Sequence, residues 1–257
     1  METSGPGHAT ALAAEAARAG VPLVVAVGGD GTLNEVINGI APLRQECPVT
    51  VGALMTGRGR DACHNLGLAR DPRRAVRRLR EGRVVSRDLG LAVWPGGRRF
   101  FVGWAGAGFD ATVAERAGSR GGRLTYLRAV LTSLRDYQPG ELAVPGSGAA
   151  WAGPAAGVVV CNGSSFGGGM RIAPGAHPDD GQLDVVVLGG LGRAELLRWL
   201  PTVYWGGHLA NPKIKTWPAR DVHVTTPSPQ RVQIDGELCA STPLEITIHP
   251  GALRLLV

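Results

Sequence analysis

The residues best suited to chemistry lie in a glycine-rich stretch, VGGDGTLNEVING, which runs from Val27 to Gly39. The apolar residues before it are typical of a buried strand, and a helical pattern follows it. Glycines in such a turn let phosphate oxygens approach the backbone, and the N–H groups at the start of a helix attract negative charge. Thr32 and Glu35 have the spacing of a capping box, which predicts that the helix begins at Thr32. The stretch therefore predicts a phosphate-binding turn.

Asp30 lies in the middle of this turn. A carboxylate repels a phosphate unless a cation or a proton lies between them, and Mg²⁺ is the natural cation for such oxygen ligands. An Asp-Gly pair also occurs in ordinary turns, and for Asp30 alone that alternative stays open. Because the pair belongs to a GGDGT sequence directly after an apolar strand, a site for magnesium and phosphate is favoured.

The stretch resembles the nucleotide signature of the diacylglycerol kinase catalytic domain family, which includes bacterial lipid kinases, sphingosine kinases and ceramide kinases. NAD kinases and phosphofructokinases share the GGDG core, but the pair Asn34-Glu35 favours the lipid kinases. Further stretches are similar to motifs of this family and follow in the same order: Met55-Thr-Gly-Arg-Gly-Arg-Asp-Ala62, Gly106-Ala-Gly-Phe-Asp110, Cys161 to Pro174, Asp179 to Asp184, and Gln233-Ile-Asp-Gly-Glu237 followed by Pro243. On these motifs the sequence is identified as a member of the family.

The resemblance implies an enzyme that uses ATP and Mg²⁺ to phosphorylate a lipid hydroxyl. Diacylglycerol is the default acceptor, and sphingoid bases or other lipid alcohols are the alternatives. A non-catalytic protein that binds nucleotide or lipid is the second hypothesis. NAD kinase or sugar kinase activity is disfavoured because the second half of the chain is rich in β-strand signals and has motifs of its own. The nucleotide site implied by the resemblance consists of Thr3, Gly28, Gly29, Asp30, Gly31, Thr32, Leu33, Asn34, Glu35, Gly57 and Arg58.

Two acidic residues near the C-terminus form the candidate catalytic pair. By resemblance, Asp235 is the general base that receives the proton of the acceptor hydroxyl, and Glu237 assists with the nucleotide or Mg²⁺. Alternation along a strand would place both side chains on the same face. A simple Asp-Gly turn followed by an exposed glutamate is the alternative that the local sequence leaves open.

A second acidic loop contains Asp179-Asp180-Gly181. In bacterial lipid kinases the matching loop holds a structural Mg²⁺, which here implies the carboxylate of Asp180 and the main chain of His177 and Gln182 as ligands. Oxygen atoms from a tight loop suit this hard cation. A solvated turn without a metal is the alternative.

Two departures from the family pattern affect the nucleotide site. Arg58 and Arg60 stand where the family has Thr and Asn, and Arg58 could replace the Thr contact by binding a phosphate through two hydrogen bonds. The family's first strand and its Asn-Pro-x-Ser-Gly loop have no counterpart, so Thr3 falls where relatives have a nucleotide-contacting Thr. We therefore expect weak ATP binding, an unpaired strand edge at Val21–Val27 and self-association into a homodimer.

The pattern around these motifs predicts two lobes. Residues 1–84 alternate helix and strand signals, which predicts an α/β doubly wound nucleotide-binding lobe, truncated at its start, that the tail 249–257 rejoins. Residues 85–248 predict a β-sandwich-like lobe for the lipid substrate. The predicted strands are Val21–Val27, Val49–Leu54, Val84–Val93, Arg99–Trp104, Gly157–Cys161, Leu183–Leu188, Val222–Thr225, Arg231–Ile234 and Leu244–Ile248. The predicted helices are Ala9–Ala19, Thr32–Ile40, one from about Asp61, Asp71–Arg83, Leu124–Leu134 and Arg193–Leu200, and Gln138–Pro154 is predicted to be a mobile loop.

The 257-residue chain has a formal net charge of +6, and arginine is densest between Asp71 and Arg83. This basic helix would attract an anionic membrane surface, although a solvated helix face is an alternative, and no nucleic-acid-binding motif accompanies it. No stretch approaches the roughly 18 apolar residues that span a bilayer. The four cysteines form no CxxC pair, so neither a zinc site nor a disulfide framework is predicted. We expect a cytoplasmic protein with peripheral membrane contact.

Overall fold

The computed structural model describes residues 1–57, 61–117, 123–146 and 149–257. Its α-helices are α1 (His8–Arg18), α2 (Asp30–Ile40), α3 (Asp61–Leu66), α4 (Pro72–Glu81), α5 (Phe109–Ala117), α6 (Arg123–Asp136) and α7 (Arg193–Trp199). Its strands are β1 (Leu23–Gly28), β2 (Thr50–Met55), β3 (Val84–Trp94), β4 (Gly97–Phe101), β5 (Trp104–Gly108), β6 (Gly140–Val144), β7 (Trp151–Cys161), β8 (Leu183–Gly189), β9 (Ile214–Ala219), β10 (Asp221–Val224), β11 (Arg231–Ile234), β12 (Glu237–Ser241) and β13 (Leu244–Leu256). Arg58 and Arg60 lie outside the described residues.

The first sheet places the turns after β1 and β2 side by side. In the described part of the chain it has six strands, in the order β1-β2-β13-β3-β4, with β10 paired to β13. β1 and β2 are parallel, and the end of β13 is parallel to β2, with Arg254 opposite Thr50. Since neighbouring parallel strands have their carboxyl ends at the same edge, the segments that follow them form one continuous surface.

The second sheet is antiparallel, and among the described residues it has seven strands, in the order β12-β11-β5-β7-β8-β9, with β6 paired to β7. A core of apolar side chains lies between the two sheets, with Phe101 and Ile246 from the first and Val158 and Val187 from the second. Helices α1 and α2 pack on the other face of the first sheet, and α5, α6 and α7 pack on the outer face of the second. The predicted architecture, an α/β lobe followed by a β-sandwich-like lobe, is confirmed.

Helix α1 packs closely against α2 because its contact face consists of alanines spaced four residues apart. Ala9, Ala13 and Ala17 are all buried. Gly39 faces them, and a Cβ at this position would overlap the carbonyl oxygen of Thr10. The carboxylate of Glu35 accepts hydrogen bonds from the backbone N–H groups of Gly7 (2.8 Å) and Ala9 (3.1 Å) at the start of α1. Small residues and this cap attach α1 to α2.

Several local predictions are wrong. Helix α2 begins at Asp30, with Gly29 as its N-cap and no side-chain cap, because Glu35 is bound to α1 and cannot close a capping box with Thr32. The predicted strand Arg99–Trp104 is two strands, β4 and β5, that belong to different sheets. The segment predicted as a mobile loop, Gln138–Pro154, contains β6 and the start of β7, which pair with each other. Gly and Pro give this segment the composition of a loop, although Gly140–Val144 pairs with Trp151–Ala155.

β1 lies at the end of its sheet and presents apolar side chains to solvent. Leu23 and Val25 are each 37% exposed and Val27 is 62% exposed. The homodimer expected from this edge stays a prediction. Among the residues that the structure describes, none of the helices is long and apolar enough to cross a membrane.

Candidate active site

Asp235 lies at the tip of the hairpin between β11 and β12. Ile234 is paired with Glu237, so Asp235 and Gly236 are the turn residues, and their φ angles are 46° and 90°. Two successive residues with positive φ form the type of hairpin turn that Asp-Gly favours. Asp235 is therefore a turn residue, and the prediction that strand alternation places it on the same face as Glu237 is wrong.

The carboxylate of Asp235 is held by four N–H donors. Its Oδ2 accepts hydrogen bonds from the backbone of Val102 and from Nδ2 of Asn34, both at 2.9 Å. Its Oδ1 accepts from the backbone of Gly103 at 2.9 Å and of Trp104 at 3.0 Å. Burial raises the pKa of Asp235 and outweighs these bonds, which act in the opposite direction. The donors fix the carboxylate in a single orientation.

Asn34 connects Asp235 to Glu237 through an arginine. Arg99 Nε donates to Oδ1 of Asn34 at 2.8 Å, and Arg99 Nη1 pairs with Oε2 of Glu237 at 2.9 Å. Asn34 is only 2% exposed, and Asn38 Nδ2 also donates to its Oδ1 at 3.0 Å. The structure thus brings together the predicted site residues Asn34, Asp235 and Glu237. Sequence reasoning missed Arg99, because it lies 65 residues from Asn34 and belongs to no motif.

Two glycine turns meet beyond the carboxyl ends of β1 and β2. The backbone N–H groups of Thr56 and Gly57 donate to the carbonyl of Gly28 at 2.8 Å and 3.3 Å. A Cβ at Gly57 would lie 2.6 Å from Cα of Gly29, and a Cβ at Gly28 would lie 2.5 Å from Oγ1 of Thr32. Both positions therefore require glycine for close packing. The start of α2 lies at this junction, where helix N–H groups favour a phosphate.

Asp30 and Asp61 line the same pocket as Asp235. Burial raises the pKa of Asp30, and the charge of Asp61 raises it further. Burial also raises the pKa of Asp61. Asp30 Oδ1 is buried and has no hydrogen-bond partner. A divalent cation beside them would neutralise both carboxylates, and two carboxylates are oxygen donors of the kind that Mg²⁺ prefers.

Asp61 is a site residue that sequence reasoning missed. Its two carboxylate oxygens accept hydrogen bonds from the backbone of Gly168 at 3.2 Å and 3.3 Å. Gly168 belongs to a turn of three glycines with positive φ, which only glycine adopts readily. The signal for Asp61 was its position in the motif Met55–Ala62, from which we selected only Gly57 and Arg58. No group of three or more His, Cys, Asp or Glu side chains that could hold a metal occurs in the described parts of the chain.

Comparison with known proteins agrees with this arrangement. The diacylglycerol kinase catalytic domain family matches residues 1–92, and the YegS C-terminal NAD kinase beta sandwich-like domain matches residues 103–257. The chain is 31% identical to a diacylglycerol kinase of Mycobacterium tuberculosis over 252 residues, which are 95% of this chain and 80% of that protein. The chain belongs to the diacylglycerol kinase-like lipid kinases.

Other relatives support this assignment. A diacylglycerol kinase of Bacillus subtilis is 29% identical over 248 residues, 95% of this chain and 80% of that protein. A protein named "Probable lipid kinase YegS-like" from Cronobacter sakazakii is 29% identical over 252 residues, 96% of this chain and 82% of that protein. The crystal structure of a diacylglycerol kinase from Bacillus anthracis has the same fold, with a TM-score of 0.74 at 22% identity over 100% of this chain and 83% of that chain. As a member of this family, the protein is a phosphotransferase that acts on a hydroxyl group.

Two residues predicted to bind the nucleotide, Leu33 and Glu35, have other contacts in this lipid kinase. The side chain of Leu33 is 1% exposed and belongs to the core, and Glu35 caps α1. Thr3 is exposed in the segment before α1. Arg58 lies outside the described residues. Contacts of the nucleotide with Thr3, Arg58 and the glycine turns stay predictions.

The loop predicted to hold a structural Mg²⁺ folds over Asp88, which sequence reasoning missed. Asp88 is 3% exposed, and its backbone N–H donates to the carbonyl of Pro178 at 2.7 Å. Its Oδ2 accepts from the backbone of Gly181 at 2.7 Å, and its Oδ1 accepts from that of Gly251 at 2.7 Å. Asp88 therefore attaches this loop to β3 and β13.

The acidic residues of this loop lie at the surface. Asp180 Oδ1 accepts a hydrogen bond from the backbone of Gln182 at 2.9 Å, and His177 is exposed. Burial raises the pKa of Asp184, and the charge of Asp180 raises it further, whereas His177 lowers it. Ligation of a metal by His177, Asp180 and Gln182 stays a prediction.

An apolar pocket adjoins the aspartate pocket of this lipid kinase. Phe166 lines both pockets. Its ring stacks on that of Trp104, with ring centroids 4.2 Å apart, and the backbone of Trp104 binds Asp235. The walls of the apolar pocket come mainly from α5, α6, α7 and the segments that flank them. The cavity has a volume of about 80 Å³, so it offers a small apolar surface beside the carboxylates.

We predict that Arg99→Ala lowers kcat about ten- to hundredfold and leaves the KM for ATP nearly unchanged. Without Arg99, the carboxylate of Glu237 loses its ion-pair partner and is no longer held in place, and small misplacements of groups at an active site reduce rates strongly. Arg99→Lys would restore charge beside Glu237 but not the guanidinium geometry, so it should rescue only in part. Steady-state kinetics test this, with Arg98→Ala as the exposed control. Equal rates for the two alanine variants would contradict the positioning role.

We predict that Asp30→Asn raises the Tm of the metal-free protein at pH 7. A raised pKa in the folded state means that stability is lost as pH rises through that pKa, so the ionised carboxylate is destabilising at pH 7. The increase in Tm should be small, because water screens the charge of this half-buried carboxylate. The variant should also lose the increase in Tm that MgCl₂ gives the wild type. Thermal melts in EDTA and in MgCl₂, with Asp221→Asn as the exposed control, test this, and a variant that melts lower yet still responds to Mg²⁺ would exclude a cation at Asp30.

Proposed function

We propose that this protein is a lipid kinase that transfers the γ-phosphoryl group of ATP, with Mg²⁺, to a hydroxyl of a lipid such as diacylglycerol. The observation that carries the proposal is the meeting of Asp30, Asp61 and Asp235 in one pocket that shares Phe166 with an apolar pocket. The polar pocket suits a charged phosphate donor, and the apolar pocket suits the hydrocarbon of the acceptor. The reacting hydroxyl would lie where the two meet.

In this proposal the protein positions both substrates. The glycine turns after β1 and β2 and the start of α2 bind the phosphates, since they offer close approach and N–H donors. Asp30 and Asp61 would hold Mg²⁺, which neutralises phosphate charge during the transfer. The apolar pocket excludes water from the acceptor.

Asp235 is the proposed proton acceptor. A carboxylate offers about four acceptor positions, and the four donors to Asp235 occupy them. Three of the donors are backbone groups, so the Asn34 side chain is the partner that can move aside to free Oδ2. Asp30 Oδ1, in the same pocket and without a partner, is the alternative proton acceptor.

We predict that Asp235→Ala lowers kcat about 10² to 10⁴-fold, the usual contribution of a general base, while the KM for ATP changes little. The measurement is transfer of radiolabel from ATP to 1,2-dioleoylglycerol in mixed micelles, with Asp221→Ala as control and circular dichroism to verify the fold. If Asp235→Ala keeps turnover within tenfold of the wild type, and Asp30→Asn still binds ATP but does not turn over, the base is Asp30.

A catalytically inactive protein that binds nucleotide or lipid is the second candidate, because Arg58 and Arg60 replace the family's Thr and Asn in the loop after β2. The same assay with extracted lipid classes separates the two candidates, since the inactive protein would bind ATP without labelling any lipid. NAD as acceptor tests the less favoured NAD kinase activity.

In this proposal the enzyme reaches its lipid acceptor by contact with an anionic membrane. Leu197, Tyr204 and Trp205 are 54%, 50% and 65% exposed in and after α7, the helix that forms a wall of the apolar pocket. Aromatic residues of this kind favour the membrane interface. Helix α4 adds a basic surface, because its arginines are exposed. The apolar residues would enter the interface, and the arginines would attract anionic lipid.

We predict that vesicles with anionic lipid bind the protein more tightly than neutral vesicles, and that salt weakens the binding. Replacing Arg73, Arg74 and Arg77 by Gln should remove most of this difference, at about 1 kcal/mol for each arginine near the surface. Trp205→Ala should weaken binding to both kinds of vesicle. Sedimentation with vesicles measures this, and equal binding of the wild type to neutral and anionic vesicles would rule out the basic surface.

A further inference from the structure

Gln233 is a buried polar side chain in the aspartate pocket, the pocket that Asp30, Asp61 and Asp235 line. It lies on β11, two residues before Asp235, and it is 9% exposed. Its side chain makes no hydrogen bond to any described residue, and its polar atoms are not enclosed by protein, because they face the open space of the pocket. Polar side chains that are so deeply buried normally have a hydrogen-bond partner. Gln233 therefore calls for a partner inside the pocket.

The pairing of β11 explains why Gln233 has no partner within the sheet. Its neighbours on the adjacent strands are Gly106 on β5 and Leu238 on β12, and neither has a polar side chain. Val232 and Ile234 point into the core between the sheets, so alternation turns Gln233 to the opposite face. The register of β11 against β12 also shifts between Val232 and Gln233. Irregularities of this kind re-aim side chains and are frequent beside active sites.

The other polar side chains of the pocket provide mainly hydrogen-bond acceptors. Three carboxylates line it, and no Lys or Arg side chain lies among the described residues that do so. Asn65 carries a second amide, but its Nδ2 donates to the carbonyl of Ser165 at 2.9 Å and its Oδ1 accepts from the backbone of Ser165 at 3.2 Å. Gln233 thus has the uncommitted amide of the described lining. An amide nitrogen donates two hydrogen bonds, so it can bind a ligand oxygen that only accepts.

We infer that Nε2 of Gln233 binds an acyl carbonyl oxygen of the acceptor lipid, so that the enzyme favours alcohols with an acyl group next to the reacting hydroxyl. The inference rests on the proposed function, because it assumes that this hydroxyl reaches Asp235. A carboxylate can accept the hydrogen of a hydroxyl but repels a carbonyl oxygen, so the carbonyl needs a separate donor. Gln233 supplies that donor from the strand that leads into the Asp235 turn.

The inference separates lipid alcohols that have the same chains and the same hydroxyl. A 1,2-diacylglycerol has an ester carbonyl next to the carbon that bears the hydroxymethyl group. A 1,2-dialkylglycerol has a methylene group in place of that carbonyl, so it leaves the amide of Gln233 unpaired and binds less tightly. The aspartate pocket has a volume of about 140 Å³, equivalent to roughly five water molecules. It therefore suits the polar head of such an alcohol and not its chains.

The test is the ratio of kcat/KM for 1,2-dioctanoylglycerol to kcat/KM for 1,2-di-O-octylglycerol. Gln233→Met has nearly the same size and no hydrogen-bonding amide, so we expect it to lower this ratio about three- to tenfold relative to the wild type, the usual effect of one hydrogen bond. Any intrinsic difference in reactivity between the two alcohols cancels, because the same pair is compared in each protein. Gln230→Met is the matched control, since Gln230 lines a different pocket, and it should keep the wild-type ratio.

A second variant and the ATP dependence keep the outcome decisive. Gln233→Leu has a different shape from Gln233→Met and also lacks the amide, so both variants should show the same fall in the ratio. The same ratio in the wild type and in both variants would overturn the inference. An equal loss of activity on both lipids together with a higher KM for ATP would assign the amide to a phosphate oxygen instead, and this result would also overturn it.

Equilibrium binding distinguishes failure of this inference from failure of the proposed function. Trp104 lines the aspartate pocket, so tryptophan fluorescence reports the binding of each lipid without ATP and without turnover. If neither lipid is phosphorylated, the kinase proposal fails, but the dissociation constants still test Gln233. The inference requires that Gln233→Met binds the diester more weakly than the wild type does and binds the diether equally well. Equal affinities of the two proteins for both lipids would refute it.

Discussion

The site depends on the hydrogen bonds that join the Asp235 carboxylate to three separate elements. Its backbone donors are Val102 and Gly103 in the short link between β4 and β5, where the chain passes from the first sheet to the second, and Trp104 at the start of β5. Its side-chain donor, Asn34, belongs to α2 in the first lobe. Asp235 itself lies on a hairpin of the second sheet. The Asp235 carboxylate therefore fixes α2, the crossing between the two sheets and its own hairpin relative to one another.

The neighbouring carboxylates, Asp30 and Asp61, differ from Asp235 in their hydrogen-bond partners. Asp235 is satisfied by the protein, whereas Asp30 retains a buried oxygen without a partner and lies beside the charge of Asp61. Such an arrangement destabilises the empty protein and is tolerated where a ligand relieves it. The three carboxylates of the pocket thus differ in their partners: four N–H donors hold Asp235, the backbone of Gly168 donates to Asp61, and Oδ1 of Asp30 has no hydrogen-bond partner.

The aspartate pocket and the apolar pocket lie next to each other and share the side chain of Phe166. The stacked rings of Trp104 and Phe166 stand between the aspartate pocket and the apolar pocket, and the backbone of Trp104 also binds Asp235. Trp104 thus binds the Asp235 carboxylate through its backbone and packs through its ring on Phe166, which lines the apolar pocket. These neighbouring pockets suit an uncharged acceptor with few polar groups. Among the described residues that line the apolar pocket, His208 is the one titratable group.

The sequence by itself determined the family, the order of the two lobes and most of the elements around the site, because these depend on local signals. The apolar run before GGDGT, the glycines that only a tight turn explains and the Asp-Gly of a hairpin can each be read within a few residues. Motifs of the same kind also marked Asn34, Asp235 and Glu237, whose side chains the structure connects. The tertiary structure alone decided which partners they have. Asn34 contacts Asp235, 201 residues away in the sequence, and Arg99, 65 residues away, and neither separation leaves a pattern in the sequence.

Glu35 is a case in which a local signal was present but misleading. Its spacing from Thr32 predicts a cap on its own helix. Because α1 packs closely on Gly39, the Glu35 carboxylate instead accepts hydrogen bonds from the start of α1. Local spacing could not reveal this, because hydrogen bonds go to the donors that packing brings nearest.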